Sequence, residues 1–364
     1  MKISNAYILI RNAIMNKTPI MIWGPPGVGK SSVVRQIAEN EFHIVDEDNV
    51  LDMRLAQIEP TDMRGIPMPN KETGRACWFI PQFWPDRVEE DTEVKVKDKD
   101  GKVSVVTIKK GCCPRGPGLL FLDEIEKASM SVKNASLELV LDRRIGSYKL
   151  PDDWGIVAAG NREEDGCFSA PIGNALSSRM IHVNIEPDVD AWTIWAKEND
   201  IADDIIGFLN HRQELLYQQT GDNAFPSPRT WAMASSLIKD VKSQDAKKEL
   251  LTASVGKGAA LEFVTWSNVY KSVDVEAILN GKFPDFESKD QSVKYAVAMA
   301  VSFHLQKRRG GIKKIEQHVA DFLNILTPEL RVVFLKLQDV NIMEQMMKHP
   351  AFKDKMKEFL KATI

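Results

Sequence analysis

One stretch limits what this chain can become: Gly24-Pro25-Pro26-Gly27-Val28-Gly29-Lys30-Ser31. It joins a short apolar run, Pro19–Trp23, to a segment with Val33, Val34, Ile37 and Ala38 at helical spacing. A short apolar run fits a buried parallel strand. The full pattern Gly-x-x-x-x-Gly-Lys-Ser in a strand–helix context reads as a phosphate cradle. Its glycines let backbone N–H groups turn inward and approach phosphate oxygens closely. The helix N-terminus adds positive potential. Lys30 is expected to reach the β- and γ-phosphates and the Ser31 hydroxyl to bind Mg²⁺. Pro25 and Pro26 stiffen the loop and lower the cost of ordering it. Gly24, Pro25, Pro26, Gly27, Val28, Gly29, Lys30, Ser31 and Ser32 are therefore the expected nucleotide-binding residues, with ATP and Mg²⁺ as cofactors.

A second apolar run, Leu119–Leu122, ends in Asp123-Glu124. Two carboxylates after a strand can be a solvated turn. Beside a phosphate cradle they read differently, because ligands bind at the carboxyl edge of a parallel sheet. Asp123 is expected to hold Mg²⁺ together with Ser31. Glu124 is expected to orient and deprotonate an attacking water.

The chain has 364 residues, too many for one ordinary core, so two or three domains are expected. A net charge of −3 gives no general attraction to nucleic acid or to an anionic membrane. Cys77, Cys112, Cys113 and Cys167 form no C-x-x-C pair and read as reduced thiols. No leader or membrane span stands out, so a cytoplasmic protein is expected.

The motifs together resemble those of the AAA+ ATPases and, more narrowly, of the MoxR group in the helix-2-insert clade. "GPPGVGKS" is similar to Walker A and "LLFLDE" to Walker B. "IVAAGNREE" ends a strand at Asn161, the sensor 1 position. "ALSSRM" puts Arg179 where the family carries its arginine finger, and "FPSPRTW" puts Arg229 at sensor 2. "VGKGAALEFVTW" and "LTPELRVVFLKL" are similar to later stretches of MoxR-like proteins. The resemblance implies that Asn161 positions the water. It implies that Arg179 reaches the nucleotide of an adjoining subunit, and that Arg229 acts from a helical lid. Surface ion pairs are the plain alternative for both arginines. Arg54, at the end of the run Val50–Arg54, is a candidate for coupling Glu124 to substrate.

The fold implied is an αβα sandwich with a parallel sheet in the order 5-1-4-3-2, followed by helices. Its strands are read at Ile20–Trp23, Val50–Arg54, Leu119–Leu122, Gly155–Ala159 and Ile181–Ile185. The nucleotide domain is read as residues 1–186, a helical lid as 187–283 and a helical C-terminal region as 284–364. Helices are expected at 191–199, 203–219, 257–271, 275–279 and 291–306. Ser227 is expected to cap a helix with Pro228 in its first turn and Arg229 beside it.

Lys30 and Asp123 stand 93 positions apart, longer than a plain AAA+ core. The excess is read as a helix-2 insert with a hairpin, at about 66–112. Val94, Val96, Val103, Val105, Thr107 and Ile108 mostly alternate with polar residues around Asp100-Gly101, which predicts a β-hairpin. Lys95, Lys97, Lys99, Lys102, Lys109 and Lys110 make it basic. Such a hairpin fits a substrate grip as well as an edge protected by lysines. Trp78, Phe79, Phe83 and Trp84 are read as a small satellite core, with a contact surface as the alternative, and "KRRGGIKK" as a solvated turn in preference to a nucleic-acid contact.

Function divides into two main classes, beside a third, a nucleotide switch that binds without efficient hydrolysis, which the intact Asp123-Glu124 pair opposes. The first is a ring-forming MoxR-type ATPase, a hexamer by resemblance, that remodels or activates a protein partner such as one with a von Willebrand A domain. The second is a nucleic-acid motor or defence-related ATPase. The basic hairpin favours the second; the acidic total opposes it.

Overall fold

The computed structural model describes residues 1, 3–42, 49–97, 103–165, 171–286, 288–353 and 356. The chain divides into two compact units, Met1–Pro187 and Asp188–Ile364. None of the described helices is long and apolar enough to cross a membrane.

The first unit is built on a five-stranded sheet. α1 (Ile3–Met15) precedes β1 (Ile20–Trp23), α2 (Lys30–Phe42) and β2 (Val50–Arg54). A short helix α3 (Pro60–Arg64) leads to two hairpins, β3 (Ile66–Asn70) with β4 (Arg75–Phe79), and β5 (Thr92–Lys97) with β6 (Val103–Ile108). Next come β7 (Gly118–Asp123), α4 (Met130–Asp142), the short pair β8 (Arg144–Ile145) and β9 (Tyr148–Lys149), and β10 (Trp154–Gly160). α5 (Asn174–Ser177) and β11 (Ile181–Asn184) finish the unit. The sheet runs β11-β1-β10-β7-β2 with every pair parallel, which is 5-1-4-3-2 among its own strands, as expected.

Alternation along these strands separates two cores. Ile20, Ile22, Leu119, Phe121, Val157, Ala159 and Val183 pack with α1 and α2. Met21, Leu120, Leu122, Ile156 and Ala158 pack with α4 on the other face. A parallel sheet covered on both faces needs apolar residues at every position, which is why these runs read as continuous. Gly118 pairs with Trp154 across β7 and β10. A Cβ at Gly118 would lie 2.3 Å from the Trp154 ring, so only glycine fits beside that buried indole.

The insert departs from expectation in two places. The hairpin β5–β6 forms in register from Thr92↔Ile108 to Lys97↔Val103; the Asp100-Gly101 turn lies outside the described residues. The hairpin β3–β4 was not expected. Gly65, at φ 82, ends α3 where a side chain would strike the Phe79 carbonyl. Asn70 then builds the turn, its Oδ1 accepting from the Glu72 and Thr73 amides at 2.9 and 3.2 Å. This arrangement also corrects the reading of the aromatic cluster. Trp84 alone is buried, 3% exposed, stacked on Tyr148 and donating from Nε1 to the Met63 carbonyl at 2.8 Å. Trp78, Phe79 and Phe83 are exposed, Phe79 by 66%; Trp78 and Phe79 end a two-stranded hairpin that covers neither of its faces.

The second unit is helical: α6 (Val189–Glu198), α7 (Asp203–His211), α8 (Pro228–Ile238), α9 (Gln244–Val255), α10 (Lys257–Lys271), α11 (Val275–Leu279), α12 (Gln291–Lys307), α13 (Glu316–Ile325), α14 (Pro328–Lys336) and α15 (Val340–Lys348). One apolar cluster spans it, with Phe208 in ring contact with Trp231, Phe263 and Trp266, and Trp231 with Phe263. The helix expected over 203–219 stops at His211 and gives way to a 3₁₀ turn, Gln213–Leu216. The indole N–H of Trp231 donates to the Leu215 carbonyl at 2.7 Å, a tertiary bond that replaces a helical one. Ser227 caps α8 in a capping box with Pro228 in the first turn, as its sequence implied. In "KRRGG", Arg308 donates to the Gly311 carbonyl at 2.6 Å and closes a local turn.

Two outcomes are expected. Gly118→Ala should destabilise the protein by about 1–3 kcal/mol in urea unfolding, whereas Gly258→Ala in the open first turn of α10 should be neutral or slightly stabilising. His211, against Tyr295 at 4.6 Å, is held below the usual histidine value of 6.5, first by burial and then by Arg212, with Glu214 opposing. An unfolded chain then takes up a proton that the folded one refuses, so stability should fall as pH drops through about 6.5. His211→Phe should flatten that slope in unfolding curves across the range.

Candidate functional site

The loop after β1 carries the strand pairing one residue further, the Gly24 amide donating to the Gly160 carbonyl at 3.3 Å. Gly24 lies so close to the carbonyl of Ile185 that a Cβ would come within 2.7 Å. Gly27 and Gly29 hold φ of 78 and 103, and a Cβ at Gly29 would meet nothing within 4 Å. The loop thus turns through left-handed conformations around open space, the shape a phosphate group fits. Val28 is buried in the core beside α2 and anchors the turn. Pro25 is buried, Pro26 half-buried and Ser32 exposed.

Lys30 opens α2 and is only 9% exposed. Its Nζ donates to the carbonyls of Gly24 and Pro25 at 2.7 and 3.1 Å, and to Asn161 Oδ1 at 2.8 Å. Ser31 Oγ donates to Asp123 Oδ2 at 3.3 Å. The structure therefore brings together residues from the ends of β1, β7 and β10, three adjacent strands. A hydroxyl and a carboxylate oxygen side by side are the hard donors that magnesium takes, so Ser31 and Asp123 fit as its ligands. Burial pushes the Asp123 carboxyl up, with nearby Asp52 and Glu124 adding to it, while the Glu124 amide and Lys30 oppose.

Glu124 adopts a left-handed backbone, φ 56, and donates its amide to Asp123 Oδ1 at 2.9 Å. Its carboxylate faces Lys127 Nζ at 3.5 Å. Arg54 ends β2 in register with Asp123 and is exposed. Arg179 follows α5 and folds back, Nη1 donating to the Ala175 carbonyl. Arg229 belongs to the second unit, exposed in the first turn of α8.

Sequence reasoning passed over two parts of this neighbourhood. Glu126, three residues after Asp123, is 1% exposed and accepts from Asn161 Nδ2 at 3.0 Å. Its signal was a further acidic residue in the turn Ile125–Lys127, directly after Asp123-Glu124. Trp23 and His182 form the other: the indole N–H donates to His182 Nδ1 at 2.9 Å, and His182 Nε2 lies 2.8 Å from the Ser177 carbonyl, just before Arg179. No local pattern marks two residues that meet only across β1 and β11.

Among curated proteins none matches the chain. Among solved structures, it is similar to NtrX from Brucella abortus, 16% identical over 90% of this chain and 67% of that one, TM-score 0.34. It is also similar to a DNA polymerase III gamma subunit-related protein from Thermotoga maritima, 10% identical over 98% and 90% of the chains, TM-score 0.30. The family model described as ATPase family associated with various cellular activities matches residues 20–165, the span that holds β1 to β10 and the Lys30, Asp123 and Asn161 cluster. Residues 20–165 of the first unit are thus similar to AAA-family ATPase domains.

Proposed function

We propose that the protein is a MoxR-like AAA+ ATPase that hydrolyses ATP at the subunit interfaces of a ring and uses the cycle to remodel or activate a protein partner. The observation that carries the ATPase part is the convergence of Lys30, Asn161, Ser31 and Asp123 at the carboxyl edge of three adjacent strands. In that reading Lys30 exchanges its carbonyl partners for phosphate oxygens, a stronger, charge-assisted bond. Ser31 and Asp123 hold magnesium, which supplies positive charge against the phosphate chain. Glu124 leaves Lys127 and accepts the proton of the attacking water. Asn161 orients that water.

Arg179 supports the interface part. Its guanidinium is folded onto its own helix in an isolated protomer, a pose that an adjoining nucleotide can replace. In related phosphoryl transfers such an arginine contributes about 10³–10⁵ in rate. Exposed apolar residues of α1, Ile8, Leu9 and Met15, and Ile181 on the edge strand β11, suit contact with a second copy. Arg229, in the helical unit read as the lid, would sense the γ-phosphate. The two hairpins of the insert are the proposed grip on the partner.

Lys30→Ala should abolish binding of a fluorescent ATP analogue, whereas Glu124→Gln should bind it normally and hydrolyse ATP at least about a hundredfold more slowly. Normal affinity in the lysine variant would remove the phosphate-cradle reading. Arg179→Ala and Lys30→Ala should each be inactive alone, yet recover part of the activity when mixed, since shared interfaces then contain one intact cradle and one intact finger. Rings that show no recovery on mixing would rule out action in trans. Stimulation by DNA that falls steeply with salt would favour the nucleic-acid reading instead.

A further inference from the structure

Glu126 carries one of the most deeply buried carboxylates in the first unit, and its bonds form a chain. Lys30 Nζ donates to Asn161 Oδ1, and Asn161 Nδ2 donates to Glu126 Oε1. An ammonium stands at one end and a carboxylate at the other. The amide between them has only one tolerable orientation, since turning it over would set its N–H₂ against the ammonium and its oxygen against the carboxylate.

Several features are built around that carboxylate. Gly160 makes room for it: a Cβ there would lie 2.7 Å from Glu126 Oε2 and 3.2 Å from the Trp23 ring. Buried Lys133 donates to the Glu126 backbone carbonyl at 2.9 Å and brings a second cation close. Among the described residues Glu126 Oε2 has no hydrogen-bond partner. A cavity of about 300 Å³ borders Glu126, Asn161, Trp23 and Asn184. A buried, half-paired carboxylate is costly to keep in a fold. A leucine would fill the space at lower cost if packing were the only task.

We infer that Glu126 is a positioning residue for ATP hydrolysis. It holds the Asn161 amide with its oxygen facing the phosphate loop. When phosphate oxygens draw Lys30 away, Asn161 then presents an acceptor, not a donor, to the attacking water. The water gives one hydrogen to Asn161 Oδ1 in a hydrogen bond and the other to the base, which leaves its lone pair aimed at phosphorus. This inference rests on the ATPase reading and adds to it the hydrogen-bonding polarity of Asn161 and the residue that fixes it.

Four variants of the full chain test it, each with kcat, KM, the Kd of a fluorescent ATP analogue and a thermal melt. Glu126→Gln keeps an oxygen for Asn161 Nδ2 and should stay within about threefold of wild-type kcat. Glu126→Leu removes the acceptor and should lower kcat at least about tenfold with Kd unchanged. Asn161→Asp sets two carboxylates face to face and should lose about a hundredfold or more in kcat. Combining Asn161→Asp with Glu126→Gln restores a donor–acceptor pair and the net charge of the chain, and should recover at least about tenfold of that loss. A double variant no better than Asn161→Asp, or a folded Glu126→Leu enzyme with wild-type kcat, would overturn the inference while leaving the ATPase reading intact. A wild-type protein that neither binds nor hydrolyses ATP would overturn the reading beneath it.

Discussion

The first unit depends on the burial of one ammonium group. Lys30 sits at the start of α2 with its charge turned inward, and oxygens of Gly24, Pro25 and Asn161 are among the groups that receive it. Removing an ion from water is costly, and neutral carbonyls offset that only when geometry and number are right. The loop from Gly24 to Gly29 must therefore bring its carbonyls round to the ammonium, which it does through two left-handed glycines. A site that holds its own cation on replaceable neutral oxygens is ready to exchange them for charged ones.

The sheet makes that exchange local. β1, β10 and β7 are neighbours, although the chain visits them in the order first, fourth and third. Right-handed parallel crossovers bring distant segments to one edge. Ser31 and Asp123 thereby meet although the insert lies between them, and Lys30 and Asn161 meet although the insert, β7 and α4 do. Because β1, β7 and β10 are covered on both faces, side chains at their ends are what remains free to reach a ligand. The length of the insert leaves this edge unchanged, since a long surface excursion costs little once its ends are fixed.

The excursion itself obeys different physics. The β3–β4 hairpin has no second layer, so Ile66, Trp78 and Phe79 stay exposed while Trp84, a few residues on, drops into the main core. The same aromatic-rich segment thus divides between two environments. Composition alone could not separate them, because aromatic residues are equally at home in a core and on a contact surface.

What the sequence determined by itself was whatever depends on near neighbours. The glycine spacing announced the phosphate loop, the apolar runs announced β1 and β7, and Ser227-Pro228 announced the cap of α8. The position of Asp123 at a strand end followed from the same local logic. Tertiary structure alone decided what depends on who stands opposite. The bond from Trp231 to the Leu215 carbonyl holds the turn that follows α7, and the lone burial of Trp84 comes from the shelf offered by Met63 and Tyr148. The bond from Asn161 to Glu126 exists only because the turn after β7 lies beside the end of β10. Local spacing fixes backbone conformation through sterics and hydrogen-bond reach, whereas a buried polar contact needs a partner that only the packed chain can deliver.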